Sequence, residues 1–260
     1  PMTVSNALTL QAGILELQNS LTLSGVAGLS LIQNASTLWM TAGTSLLTIT
    51  NPNGLTVQSG GQLLVENAAP QPCVLTNAVL YNAGGFLVYN NITAPRTTGL
   101  ELPASMNGTL STFMGASSAI TLGGATTFSN TGVLNLAGSP FFVTSAANML
   151  TVNNTVAGAI TRTGSGYIDG PLRRALPNGG GVGTWLSPVG KGGMYLPFAV
   201  VNPSAGSVGA VVEAEVLSTG GGGTTDGTTI IGGSLSTTEY WQASIASGTF
   251  AGGLVYVGKT

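Results

Sequence analysis

Leu8-Thr9-Leu10, Ile14-Leu15-Glu16-Leu17, Leu21-Thr22-Leu23, Leu29-Ser30-Leu31, Leu38-Trp39-Met40, Leu47-Thr48-Ile49, Leu55-Thr56-Val57 and Leu63-Leu64-Val65 follow one another every seven to ten residues. Each is a short beat in which apolar and polar residues alternate, the period of a strand with one face turned inward. Between them stand turn formers such as Ala12-Gly13, Asn51-Pro52-Asn53-Gly54 and Ser59-Gly60-Gly61-Gln62. The texture continues to about residue 165, and no stretch offers a capped helix with a 3.6-residue period. Taken in threes, the beats give coil starts near Leu8, Leu29, Leu55, Val79, Leu110, Val133 and Ala159, a recurrence of roughly 21–31 residues of the kind that marks a solenoid. An all-β chain is therefore expected. Residues 1–165 read as a parallel β-helix of about six coils, with leucine, isoleucine and valine stacked inside and threonine, serine, asparagine and glutamine outside. A β-sandwich also shows short strands at this spacing, but sixteen or more successive beats are too many for one sandwich.

The composition excludes several classes of function. Of 260 residues only eight are acidic and six basic, there is no histidine, and the net charge is −2. Nucleic-acid binding needs a lysine and arginine footprint that six basic residues cannot supply. The 43% hydrophobic content argues against disorder. A mean hydropathy of +0.40 reflects missing charges, since polar residues interrupt every apolar run well before the ~18–20 residues that a membrane-spanning helix needs. The opening Pro1-Met2-Thr3-Val4 lacks the basic start and apolar core of a secretion signal and reads as a mature or excerpted chain. The single cysteine, Cys73, reads as a small buried hydrophobe in a strand.

Near residue 165 the character of the chain changes. Strand candidates lengthen to 196–201 and 208–217, a glycine run occupies 220–223, and charges gather at Asp169, Arg173, Arg174, Lys191, Glu213 and Glu215. Residues 166–260 are expected to form an antiparallel β-sandwich.

Within this part, Gly166-Tyr167-Ile168-Asp169-Gly170-Pro171-Leu172-Arg173-Arg174, then Trp185-Leu186-Ser187-Pro188-Val189-Gly190-Lys191-Gly192, and later Glu239-Tyr240-Trp241-Gln242, resemble a recurrent module of very large secreted surface proteins of Bacteroidota. The resemblance covers about residues 160–260. It departs from the module's usual pattern where Leu196 stands before Pro197 in place of arginine. It implies a sandwich following β-helical repeats, export by the type IX route and work at the cell exterior as an adhesin or filament. The resemblance also implies a C-terminal sorting domain, which these 260 residues do not include, so a removed domain or a fragment is expected.

Parallel β-helices often carry polysaccharide lyases and hydrolases, and glycoside hydrolysis needs two carboxyls ~5–10 Å apart. Glu16, Glu66 and Glu101 lie coils apart among ordinary polar residues and read as solvated surface groups. Glu213 and Glu215 share a strand face and read as a wet sandwich face. The only aspartates, Asp169 and Asp226, are too few for a calcium cluster. The run Gly183–Lys191 has Trp185 where a phosphate loop needs glycine, and Gly192 where it needs serine or threonine. Neither enzyme activity nor a cofactor or metal is expected. Asn34, Asn91, Asn107 and Asn153 head sequons and are possible glycosylation positions. Arg173 and Arg174 face opposite ways, one to pair with an acid as a pin at the junction and the other to be solvated.

Two functions remain. The first is a non-enzymatic structural or adhesive filament subunit of the cell exterior, assembled head to tail with copies of itself or joined to further modules of a larger chain. Its assembly edge is Pro1, Met2, Thr3, Val4, Leu8 and Leu10, where no charge blocks a solenoid end. The second is a carbohydrate-binding or polysaccharide-active β-helix, for which Tyr81 and Tyr89, near Trp39 and Phe86 in the early coils, are the candidate glycan platform.

Overall fold

The computed structural model describes residues 2–24, 28–41, 46–50, 54–66, 73–75, 77–218 and 240–258, with the backbone alone given for 73–75. Pro1, the glycine run 220–223, Asp226 and Glu239 lie outside the described residues.

The expected solenoid is present, as a stack of about seven turns. One face is continuous from the first coil to the seventh. Along it, Leu15, Leu38, Leu63, Leu87, Leu110, Leu134 and Ile160 are successive parallel partners, 23 to 26 residues apart. Beside this row runs a second, Leu17, Met40, Val65, Tyr89, Thr112, Leu136 and Arg162. Both rows point inward, and from Leu38 through Leu134 the first is fully buried. In-register stacking satisfies each strand's backbone from the coils above and below, while the aliphatic rows fill the interior. Burying one such leucine contributes about 1.5–3 kcal/mol.

The other two faces change between the fourth and fifth coils. In the first four coils they comprise Met2–Val4, Leu21–Leu23, Leu47–Ile49 and Cys73–Leu75, and then Thr9–Leu10, Ser30–Ile32, Leu55–Val57 and Leu80–Tyr81. New stacks then begin with the two-residue strands Arg96–Thr97 and Ser105–Met106. The sequence-based coil starts at Leu8, Leu29, Leu55 and Val79 fall on or beside one face, but Leu110, Val133 and Ala159 fall on or beside another. Two-residue strands carry too little alternation to register as beats, so the reading skipped the switch.

The parallel stack also crosses residue 165 without a break. Ile168–Asp169 pairs in parallel with Phe142-Val143 and then with Val189-Gly190, and Leu172–Ala175 continues from Leu150–Val152. Beyond these, Val208–Leu217 and Tyr240–Thr249 add antiparallel strands to one existing face, and Thr184–Ser187, Phe198–Val201 and Leu254–Val257 form a small antiparallel sheet. The composition break therefore marks a change of pairing at the far end of the solenoid. A separate sandwich is not seen among the described residues.

Candidate functional site

The switch between coils four and five holds a buried polar cluster. Glu101, expected at the surface, is fully buried. Its Oε1 accepts hydrogen bonds from the Tyr89 hydroxyl at 2.9 Å and the Gly99 amide at 2.9 Å, and the Tyr81 hydroxyl donates to the Glu101 backbone carbonyl at 2.9 Å. The Arg96 guanidinium lies 5.8 Å from the centre of the Tyr89 ring. Burial pushes the Glu101 carboxyl above the usual carboxylate range, against the opposing pull of the Gly99 amide, the Tyr89 hydroxyl and Arg96. Burial, and then Glu101 itself, raises the Tyr89 phenol. Tyr81 and Tyr89 thus cannot form a surface platform. Both occupy inward row positions, in register with Val57 and Val65, and their hydroxyls are used to hold the chain where two faces change.

A second set of polar contacts fixes the far end. Asp169 and Lys191 form an ion pair at 2.7 Å, and Arg173 pairs with Glu213 at 2.8 Å. Arg174, expected to be solvated if its neighbour was paired, is 1% exposed. It donates to the carbonyl of Ala157 at 2.6 Å, to that of Val156 at 3.1 Å and to that of Leu186. Burial draws its pKa down to about 9. Trp185 donates to the Thr155 carbonyl at 2.8 Å and Trp241 to the Leu196 carbonyl at 2.9 Å. The residues of the quoted motif act here as pins between the last coils and the antiparallel strands.

At the first coil the backbone shows which groups are open. The Met2 amide donates to the Ser20 carbonyl, and the Val4 carbonyl accepts from Ser24. Bonds from a parallel strand alternate in side, so the amide and carbonyl of Thr3 point away from the stack. Likewise the carbonyls of Leu8 and Leu10 accept from Leu31 and Gln33 in the second coil, which leaves Thr9 facing outward. Of the six expected edge residues, Met2, Val4, Leu8 and Leu10 spend these backbone groups inside the stack. Among the described residues, the backbone groups without a partner at this coil are those of Thr3, Thr9, Ile14 and Glu16.

Asn34, Asn91, Asn107 and Asn153 are all exposed. Asn91 is engaged, its Nδ2 donating to Glu66 Oε1 at 3.0 Å, while Trp39 Nε1 donates to Glu66 Oε2 at 2.7 Å. Glu16 and Glu66 are two coils apart on the continuous face. Among the described residues no three histidine, cysteine, aspartate or glutamate side chains are grouped so as to hold a metal ion.

The outer side of the continuous face carries a groove of about 380 Å³ that the sequence did not reveal. Leu64, Val88, Ser111 and Asn135, one outward register row, form its floor. Gln62 and Phe86 stand on one side, and Asn90 and Phe113 on the other. No residue lining it is charged. Only the alternation within Phe86-Leu87-Val88-Tyr89-Asn90 could have signalled it, by turning Phe86, Val88 and Asn90 outward and Tyr89 inward.

No family model, no curated protein and no solved structure matches this chain.

Proposed function

We propose that this protein is a non-enzymatic rod of the bacterial cell exterior, a repeating unit that joins its neighbour head to tail. The observation that carries this reading is the exposed apolar strand Leu254–Val257 at the antiparallel end of the stack, together with first-coil backbone groups that have no partner among the described residues. At one end the first coil turns the backbone of Thr3, Thr9, Ile14 and Glu16 outward. At the other, Leu254–Val257 pairs among the described residues on one side only, with Phe198–Val201, and its four residues are 69%, 58%, 53% and 45% exposed. Open strand edges are templates for pairing, and apolar clusters on a surface mark interaction sites. A contact between two different surfaces of identical subunits propagates into a filament when its rotation does not close. The likeness of 166–192 and 239–242 to Bacteroidota surface modules supports an exterior location. Apolar and backbone contacts hold such a joint, so salt has little hold on it.

The test is light scattering of the purified chain at low and high salt, beside a Thr3→Pro variant. That substitution removes an outward amide and leaves the bonds of Met2 and Val4 to the second coil in place. Large particles that persist in high salt and shrink in the variant are expected. A monomer at all salt concentrations, or assembly indifferent to Thr3→Pro, contradicts the reading.

A further inference from the structure

We propose that the outer groove of coils three to six binds an extended, uncharged glycan, a function additional to assembly and independent of it. Three amide side chains reach the groove, and each has its oxygen already occupied. Gln62 Oε1 accepts from the Thr37 hydroxyl at 3.3 Å, Asn90 Oδ1 from the Met114 amide at 3.2 Å, and Asn135 Oδ1 from the Thr161 hydroxyl at 3.0 Å. For Asn90 the backbone donor fixes which end of the amide is which. None of the three NH2 ends donates to a partner among the described residues. The site thus offers several donors, anchored in place and aimed at a ligand rich in acceptors.

Two phenyl rings complete it. Phe86 and Phe113, 37% and 52% exposed, stand on opposite sides of the floor, in adjacent coils. Exposed rings provide apolar faces, and a groove that is mostly apolar with a few fixed polar groups is the usual form of a ligand site. A sugar ring matches both parts, with an apolar face of C–H groups and a rim of hydroxyl and ring oxygens. The absence of charge in the lining selects a neutral sugar over an acidic one, because a carboxylate buried there would lose its hydration with no cation to replace it. The rows run along the solenoid axis, one strand spacing of ~4.8 Å per coil, so the site is long and suits a chain of sugars better than a single unit.

An apolar peptide strand fits less well. Strand addition uses the edge of a sheet, and this groove lies on a face. An apolar peptide would also offer only its backbone carbonyls to the three NH2 groups, where a sugar chain presents hydroxyl and ring oxygens on every unit.

The experiment is calorimetric titration of the full chain with cellohexaose, laminarihexaose and mannohexaose, with polygalacturonate as the acidic control. Phe113→Ala and Asn135→Ala follow, each checked for an unchanged melting curve. We expect at least one neutral hexasaccharide to bind with a millimolar or lower Kd, weakened about tenfold by each substitution, as for other interface anchors. The proposal is overturned if none of the three binds at millimolar concentration, if polygalacturonate binds better, or if binding survives both substitutions. None of these outcomes bears on head-to-tail assembly, which the scattering measurement reads separately.

Discussion

Arg96, Arg162 and Arg174 each take an inward register position that neighbouring coils fill with an apolar residue. Arg96 begins a row that continues through Ile120, Phe142 and Ile168; Arg162 follows Leu136, and Arg174 follows Phe128 and Val152. A guanidinium among apolar row neighbours needs other groups to replace its water. Arg96 and Arg162 stand at row ends, whereas Arg174 lies between Val152 and Val212 and is met from the side by the carbonyls of Val156, Ala157 and Leu186. Arg162 donates to the Gly166 carbonyl at 2.7 Å and lies 3.6 Å from the centre of the Tyr195 ring. Arg174→Met should therefore lose about 3–5 kcal/mol in urea unfolding, since it strands three carbonyls at the cap. Arg173→Met breaks a pair whose side chains are 43% and 28% exposed, and should cost at most about 1 kcal/mol. Equal losses for the two would argue against the pinning role of Arg174. Glu101 gives a pH signature. Its folded-state pKa is raised by burial, so the stability it contributes is fully present below its unfolded pKa of about 4.5 and is lost as pH rises through the folded value. Glu101→Gln, which keeps an oxygen to accept from Tyr89 and Gly99, should flatten the fall in melting temperature between acid and neutral pH. An unchanged pH profile in that variant would show that Glu101 does not titrate as its burial requires.

At the scale of elements, the coils reveal how far sequence pattern reaches. The solenoid was legible because beats such as Leu21-Thr22-Leu23 and Leu47-Thr48-Ile49 place leucine or isoleucine at both inward positions of a strand, and each is in register with the other. The face switch at 91–106 was not legible. Its strands are two residues long, and what organises it is a glutamate and two tyrosines whose roles depend on contacts twelve to twenty residues apart in the chain. The same limit hid the groove, because a ligand site made of three outward rows is complete only when coils are aligned, and the alternation within residues 86–90 carries just one coil's share of it. The tyrosines belong inside: Tyr89 shares a strand face with inward Leu87, and its register with inward Val65 fixes it there. Two substitutions test the stack itself. Leu87→Ala, in the middle of the continuous row, should cost about 2–5 kcal/mol in denaturant unfolding. Gly138→Ala should destabilise by a comparable amount although it adds only a methyl group, because a Cβ there would overlap the Phe113 carbonyl of the preceding coil. If that variant unfolds at the wild-type denaturant concentration, the coils are not as closely stacked as described.

For the whole molecule, the scarcity of charge follows from the architecture. The inward rows and their ladders need no ion pairs, and apart from Glu16 and Glu66 on the continuous face the charges described sit where the regular stack changes, at coils four to five and at the antiparallel end. The rod is therefore stabilised by contacts that repeat along one axis, and an end-to-end joint between copies would extend the same axis. Seven coils at ~4.8 Å each give a body on the order of 35 Å long before the antiparallel strands are added. Negative-stain microscopy of the purified chain tests this most directly. The account predicts unbranched filaments with an axial repeat somewhat above that length, still present in high salt. Isolated compact particles at every protein concentration would contradict it.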